Sequence, residues 1–341
     1  MYRKFFGLTR SPFEISPDPY FLFQTPRHNE ALASIVHGVM RRKGFMVLTG
    51  EVGTGKTLMV RCLMELLRTR GVASANVFNP RLRPKEFLHY VIGDLGMSPA
   101  SADNKGILLL QLYNYLIARQ QKNQTTVLIV DEAQNMDVEL LEEIRLLTNL
   151  ETAQQKLIQI VLVGQPELDQ KLDSPQLRQL KQRITLRCTL EPLGEVETRA
   201  YIWQRLKRAG MAFEAVLIFP PTTVAPIHSY TKGIPRLINI VCENALIQAY
   251  AHQSKTVTEN IIDEVARDLR LRVTSLSPSS ANENGLTEGQ QIVVKSLQDL
   301  TTLLERATAG SLLQQQSSKS EAEIKNRVSS CSLGSRRQGT S

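Results

Sequence analysis

The stretch Leu48–Leu63, LTGEVGTGKTLMVRCL, contains the pattern from which the fold of this chain is predicted. It opens with the end of a short apolar run, passes through a glycine-rich turn and continues directly into a helical pattern. Such an apolar run has the length and composition of a buried strand, and the residues after the turn repeat at helical spacing. The stretch therefore predicts a strand–turn–helix unit of an α/β domain.

Further apolar runs extend this unit into a sheet. They are bounded by polar residues and separated by helical patterns, and they lack the polar alternation of a half-exposed strand. Strands of this kind are buried on both faces, and their alternation with helices predicts a doubly wound parallel sheet of five strands. The candidate strands are 44–50, 72–80, 125–134, 157–166 and 183–193.

The character of the sequence changes three times. The first residues are aromatic and proline-rich, which favours an ordered arm wrapped on a core over a strand or helix of its own. After Pro192 only helical patterns follow, which predicts a second, smaller domain. The predicted divisions are an N-terminal arm at 1–24, an α/β nucleotide-binding domain at 25–192, a small helical domain at 193–273 and a low-complexity tail at 274–341.

The tail is rich in serine and glutamine and cannot build a packed core, so disorder is expected there. An amphipathic helix near 289–306 interrupts it. This helix has three open interpretations: it binds a partner, it mediates self-association, or it docks on its own chain.

Composition limits the class of protein. With 341 residues, 42% of them hydrophobic, the chain can bury a sizeable core. A formal net charge of +8 suits nucleic acid or an anionic membrane surface, but it also suits a merely solvated surface. The four cysteines lie far apart without a C-x-x-C pair, so neither disulfides nor zinc are expected. No apolar stretch approaches the ~18 to 20 residues of a membrane span, so we expect a cytoplasmic location, or a peripheral one at the inner membrane.

Gly50–Thr57, GEVGTGKT, fits the phosphate-binding pattern G-x-x-x-x-G-K-[ST] at every fixed position. The glycines let backbone N–H groups close around phosphate oxygens, and the following helix adds a favourable dipole. Lys56 is expected to reach the β- and γ-phosphates, and Thr57 to bind Mg²⁺. The predicted nucleotide-binding residues are Gly50, Glu51, Val52, Gly53, Thr54, Gly55, Lys56, Thr57 and Leu58, together with Asp131.

Two acids follow the apolar run VLIV at its carboxyl end, where α/β sheets bind their ligands. Asp131 fits the carboxylate that holds Mg²⁺, so Thr57 and Asp131 are the predicted metal ligands. Glu132 fits a base that polarises the attacking water. The sequence therefore predicts ATP and Mg²⁺ as cofactors and hydrolysis as the reaction.

Four further polar residues are candidates for roles in phosphoryl transfer. Gln165 follows the next apolar strand and is placed to orient water. Arg183 and Arg178 lie just before the last strand, and either is a candidate for an arginine finger that reaches a neighbouring subunit's nucleotide; the sequence leaves the choice open. Arg236, in KGIPRLIN, begins a helix of the small domain and is a candidate for contact with the γ-phosphate. The predicted catalytic residues are Glu132, Gln165, Arg183 and Arg236.

Together these features resemble an AAA+ ATPase, and more narrowly the ExeA-type ATPases of bacterial secretion, pilus and exopolysaccharide systems. The stretches that carry the resemblance are MYRKFFGL with PFEISPDPYFLF, RHNEALASIVHGV, GFMVLTGEVGTGKT, VLIVDEAQNM, LEEIRLLTNLET, LVGQPEL and KGIPRLINIVCENAL. The resemblance implies an oligomer with ATP at subunit interfaces, Gln165 as sensor 1 and Arg236 as sensor 2. It also places His28 and Glu30 near the adenine.

For function, the resemblance implies Mg²⁺-dependent ATP hydrolysis in the assembly of a secretion, pilus or polysaccharide-export machine with a membrane-protein partner. Secretion members continue into a membrane span and a peptidoglycan-binding domain, whereas this sequence ends in a polar tail, so direct action on the cell wall is not expected. Two alternatives stay open. Transposition ATPases that bind DNA and recruit a transposase have similar DEAQ modules, and a nucleotide-gated scaffold would need little turnover.

Overall fold

A computed structural model describes residues 1–16, 18–78, 80–99, 104–211 and 218–272. The predicted tail at 274–341, with its amphipathic helix at 289–306, lies outside the described residues. The predicted five-stranded parallel sheet is confirmed, with the strand order β2-β3-β4-β1-β5. Its strands are β1 Phe45–Gly50, β2 Ala73–Val77, β3 Thr126–Val130, β4 Gln159–Gly164 and β5 Ile184–Leu190.

Helices cover the sheet and continue after it, as the sequence predicts. Those that belong to the sheet's domain or precede it are α1 Tyr2–Phe5, α2 Pro26–Met40, α3 Lys56–Thr69, α4 Pro84–Asp94, α5 Lys105–Gln121, α6 Val138–Leu147, α7 Pro166–Leu172 and α8 Arg178–Lys181. Those that follow the sheet are α9 Glu195–Arg208, α10 Pro221–Thr231, α11 Pro235–Ala251 and α12 Glu259–Asp268.

The three middle strands of the sheet are buried along their whole length. Every residue of β1, β3 and β4 is buried, because helices cover both faces, and this is why these strands appear in the sequence as unbroken apolar runs. The edge strand β5 is only partly covered and alternates between half-buried and exposed residues. Since β3, β4 and β1 are parallel neighbours, their carboxyl ends meet at one edge of the sheet. The functional side chains come from this edge.

The apolar interior forms two clusters. One lies between the sheet and its helices and includes Phe45, Phe87 and Leu128. The other joins the N-terminal arm to the small helical domain, where Phe6, Phe13, Phe21, Phe219 and Ile238 are among its buried members. The arm is thus ordered by packing on the small domain. It also contains the short helix α1 and a turn of 3₁₀ helix at Pro19–Phe21, which the composition did not indicate.

Helix α10 lies in the helical region predicted after Pro192, but its own residues lack a clear helical pattern. Pro226 lies inside it, and a proline at that depth removes a backbone hydrogen bond and is a usual sign of a helix end. Buried Val224 and Ile227 hold the helix in place by packing, so tertiary contacts outweigh the local penalty. No helix in the described ranges is both long and apolar enough to cross a bilayer. The domain limits at 24, 192 and 273 stay predictions.

Candidate active site

The glycine-rich turn forms a loop around the side chain of its own lysine. Lys56 is the first residue of α3 and is only 6% exposed. Its ammonium donates hydrogen bonds to the carbonyl oxygens of Gly50, at 2.7 Å, and Glu51, at 2.9 Å. Burial lowers the pKa of Lys56, while the charges of Glu132 and Asp131 raise it. A phosphate group at the N-terminus of α3 would meet this ammonium and the loop's N–H groups, so the loop fits the predicted ligand.

Gly53 joins the loop to the small helical domain. It has φ +84°, and a Cβ atom on it would lie 2.7 Å from Cβ of Arg236. The backbone N–H of Arg236 donates to the carbonyl oxygen of Gly53 at 3.2 Å. Only glycine permits both this conformation and this approach. The first turn of α11, which carries Arg236, therefore lies against the phosphate-binding loop.

Thr57 and Asp131 meet across the sheet edge. The hydroxyl of Thr57 donates to Oδ2 of Asp131 at 3.3 Å, and Asp131 is 3% exposed. Burial raises the pKa of Asp131, and the neighbouring Glu132 charge raises it further, whereas hydrogen bonds from Thr57 and from the Glu132 N–H lower it. A hydroxyl and a carboxylate oxygen side by side are ligands that Mg²⁺ accepts, so the donor set fits the predicted metal.

Glu132 stands directly beyond β3 in a conformation that is unusual for a non-glycine residue. Its φ is +53°, in the left-handed region, and such strain typically costs ~1 to 3 kcal/mol and is concentrated at functional sites. Oε2 of Glu132 accepts hydrogen bonds from Nε2 of Gln134, at 2.6 Å, and from Nε2 of Gln165, at 3.2 Å. The structure thus brings Gln165 to Glu132. It adds Gln134, which the sequence reasoning missed.

The two arginines just before β5, Arg178 and Arg183, are the candidate arginine fingers. Ile184, next to Arg183, pairs with Phe45 at the start of β1, whereas the phosphate-binding loop follows the last residue of β1. Arg183 therefore lies toward the opposite edge of the sheet from its own nucleotide site, and its Nη1 donates to Oγ1 of Thr148 at 2.8 Å. Arg178 is exposed at the start of α8. Arg183 therefore does not belong to the site that its own chain forms.

A mainly apolar cavity opens beside the phosphate-binding loop. The arm supplies Phe21, Leu22, Phe23 and Gln24, helix α3 supplies Leu58, Met59 and Cys62, and the small domain supplies Leu193, Tyr201, Arg205 and Pro235. A cavity of this composition next to a phosphate site suits a purine base.

Of the two residues that the sequence places near the adenine, His28 lines this cavity with Thr54 and Gly55, and Glu30 does not. Nδ1 of His28 lies 2.6 Å from Oγ1 of Thr25, and Nε2 lies 3.5 Å from the carbonyl oxygen of Thr54. Glu30 is on the same helix, α2, and is exposed.

Comparison with known proteins agrees with this geometry. The family model described as the AAA domain matches residues 39–172. General secretion pathway protein A of Aeromonas hydrophila is 43% identical over 270 residues, which are 79% of this chain and 48% of that protein. The chain contains an AAA+ ATPase module of the ExeA type. It spans about half the length of this relative, and the matched family region includes the phosphate-binding loop, Asp131, Glu132 and Gln165.

Solved structures support the fold of the module. Cdc6p from Pyrobaculum aerophilum superimposes with a TM-score of 0.55 at 15% identity, over 78% of this chain and 70% of that one. The ORC2 protein of Aeropyrum pernix in its ADP form gives 0.53 at 16% identity, over 78% and 72% of the two chains. At these identities the likeness concerns the AAA+ fold alone. Arg183, Arg236 and His28 lie outside the matched family region.

Proposed function

We propose that this AAA+ module binds ATP with Mg²⁺ and hydrolyses the bond to the γ-phosphate. The observation that carries the proposal is the assembly of Lys56, the Thr57–Asp131 pair and Glu132 at one sheet edge, with the carboxylate of Glu132 held by side-chain amides. A structural ion pair would not need a strained glutamate beside a phosphate-binding loop.

Each group then has a defined part. Lys56 and the loop's N–H groups bind the β- and γ-phosphates. They also stabilise the negative charge that develops in the transition state. Mg²⁺, held by Thr57 and Asp131, supplies further charge neutralisation when bound. Glu132 accepts a proton from the attacking water, and Gln165 keeps that carboxylate and the water in position.

We further propose that the active form is an oligomer with nucleotide at its interfaces. Arg183 supports this, because it lies away from its own site and in an assembly would act on a neighbour's nucleotide. Arg236 is the arginine proposed to contact the γ-phosphate within the same chain, because the first turn of its helix contacts Gly53. The choice between Arg183 and Arg178 as the finger rests on Arg183 being the one directly attached to β5.

The proposed setting is the assembly of an envelope machine, with a membrane-protein partner and a location on the cytoplasmic side of the inner membrane. Its support is the similarity to general secretion pathway protein A. A DNA-binding ATPase is the second candidate, favoured by the net charge of +8. DNA-stimulated turnover whose affinity falls steeply with salt would select the second candidate, because phosphate contacts release counterions.

The substitution Glu132→Gln tests the assignment of the base. It keeps the shape of the side chain and removes its ability to take a proton, so we expect ATP turnover to fall at least about 100-fold while ATP affinity stays within about twofold. Phosphate release and binding of a fluorescent ATP analogue measure the two quantities. We also expect the variant to stay in its ATP-bound oligomer, which light scattering after gel filtration detects.

Two outcomes would count against this account. Unchanged turnover in Glu132→Gln would remove Glu132 from the mechanism. Lost turnover with full partner recruitment and full cellular function would instead favour the nucleotide-gated scaffold, in which ATP fixes the assembly and hydrolysis has no role.

A further inference from the structure

Gln134 connects the two strand ends that form the catalytic edge. It lies in the single turn of 3₁₀ helix at Ala133–Asn135, directly after Glu132. Its Nε2 donates to Oε2 of Glu132 at 2.6 Å, and its Oε1 accepts the backbone N–H of Gln165 at 3.1 Å. The side-chain amide of Gln134 thus donates a hydrogen bond to the residue pair after β3 and accepts one from the residue after β4.

The surroundings of Gln134 fit this bridging position closely. A Cβ atom on Gly164 would lie 2.9 Å from Oε1 of Gln134, so a side chain at the last residue of β4 would displace this amide. Lys171, on α7, donates from Nζ to the carbonyl oxygens of Gln134, at 2.6 Å, and Met136, at 2.9 Å. The backbone of the turn and the side chain of Gln134 are therefore both fixed from the β4 side.

We propose that Gln134 is a positioning residue for ATP hydrolysis, acting through Glu132 and Gln165. This inference rests on the proposed function. With Oε2 of Glu132 bound by both amides, the carboxylate has one defined orientation, and Oε1 is left to accept the proton of the attacking water. Gln134 also fixes the backbone of Gln165, so the base and the residue that orients water move as one unit.

Substitution of Gln134 separates positioning from binding. Gln134→Glu has the same shape and keeps the acceptor for Gln165, but it loses the donor and places a second carboxylate against Glu132. Gln134→Met keeps the volume without either hydrogen bond, and it serves where Gln134→Glu fails to fold. Because misplacement of a reacting group by about 1 Å lowers a rate by ~100-fold, we expect kcat for ATP to fall about 10- to 100-fold in both variants.

The KM for ATP, the affinity for a fluorescent ATP analogue and the thermal unfolding midpoint are expected to stay close to wild type. If Gln134 had a merely structural role, its substitution would lower the thermal unfolding midpoint and would not reduce kcat selectively. The matched control is Gln154→Glu, which introduces the same change at an exposed glutamine and is expected to leave all these quantities unchanged.

A double-mutant cycle with Gln165→Ala completes the test. If both amides act through the one carboxylate of Glu132, the double variant Gln134→Met/Gln165→Ala is expected to be little slower than the slower single variant. Wild-type kcat in the Gln134 variants, or a fully multiplicative double variant, would overturn the role of Gln134 and leave the ATPase standing. Absence of turnover in the wild-type protein would overturn both.

Discussion

At the scale of single residues, the site is a set of buried charges that depend on one another. Lys56 and Asp131 are almost fully buried, and the cost of burying each charge is offset by the opposite charge, by the hydrogen bonds that Lys56 donates to the loop's carbonyl oxygens and by the one that Thr57 donates to Asp131. Removing one charge leaves its counterpart buried without the opposite charge. We therefore expect that replacing either side chain by a neutral one of similar size weakens the site.

His28 offers a pH-dependent readout of the cavity beside the loop. Burial lowers the pKa of His28, so the imidazole stays neutral in the folded protein at a pH where the unfolded chain takes up a proton. The unfolded state then binds more protons as the pH falls below the ordinary histidine value of ~6.5, and stability is lost in that direction. Above that pH His28 is neutral in both states, and its protonation costs the folded state no stability.

We therefore expect the wild-type protein to lose more unfolding free energy between pH 7.5 and pH 5.5 than His28→Gln does. The difference cannot exceed about 1.4 kcal/mol per pH unit, the limit for one proton. Urea unfolding at a series of pH values measures it, and His252→Gln, at an exposed histidine, is the control. A variant whose stability follows that of wild type across this range would show that His28 is not held neutral.

The sequence identifies the residues of local motifs and misses those that depend on tertiary contacts. Lys56, Thr57 and Asp131 were predicted because a glycine pattern and an acidic strand end are contiguous signals. Gln134 was not, because its significance lies in a contact with Gln165, 31 positions away. The fourth letter of DEAQ was the only trace of it in the sequence.

At the scale of elements, the N-terminal arm is held by aromatic packing. The ring of Phe13 is fully buried and meets Phe219 edge to face at 5.9 Å between centroids. The buried guanidinium of Arg205, on α9, bonds the carbonyl oxygen of Pro12 and lies over the ring of Phe21, 4.8 Å from its centroid. The arm is therefore part of the core of the small helical domain.

Truncation of Phe13 tests this packing. Phe13→Ala leaves a cavity in the second apolar cluster, so we expect the free energy of unfolding to fall by about 3 to 5 kcal/mol. Ile15→Ala, at a residue that is 56% exposed, is the control and is expected to change stability by less than about 0.5 kcal/mol. Chemical unfolding measures both, and equal stabilities for the two variants would mean that the arm does not belong to this core.

Elements were predictable where one signal dominates. Strands β1, β3 and β4 are buried on both faces, and their apolar runs predict them. Helix α10 breaks the local rules with an internal proline, and α1 has only four residues, so packing decides both. The packing of the arm on the small helical domain could likewise not be predicted from the sequence, because aromatic composition does not show which core the arm joins.

At the scale of the whole molecule, the candidate site lies where the described parts of the chain come together. The phosphate-binding loop, the arm and the small helical domain all line one cavity, and beside it the backbone N–H of Arg236 donates to the carbonyl oxygen of Gly53. Groups that line a shared site are coupled through any ligand that binds there. ATP bound in this cavity would therefore link the position of the small helical domain to the state of the nucleotide.

The proposed ATPase activity is tested by measuring phosphate release from ATP by the purified protein, with Mg²⁺ and with EDTA in its place. We expect steady turnover with Mg²⁺, none with EDTA, and none in Lys56→Ala, which also loses affinity for ATP because the phosphates lose their buried cation. No turnover by the wild-type protein in Mg²⁺ would mean that the module is not an ATPase, and equal turnover by Lys56→Ala would mean that this site does not hydrolyse ATP.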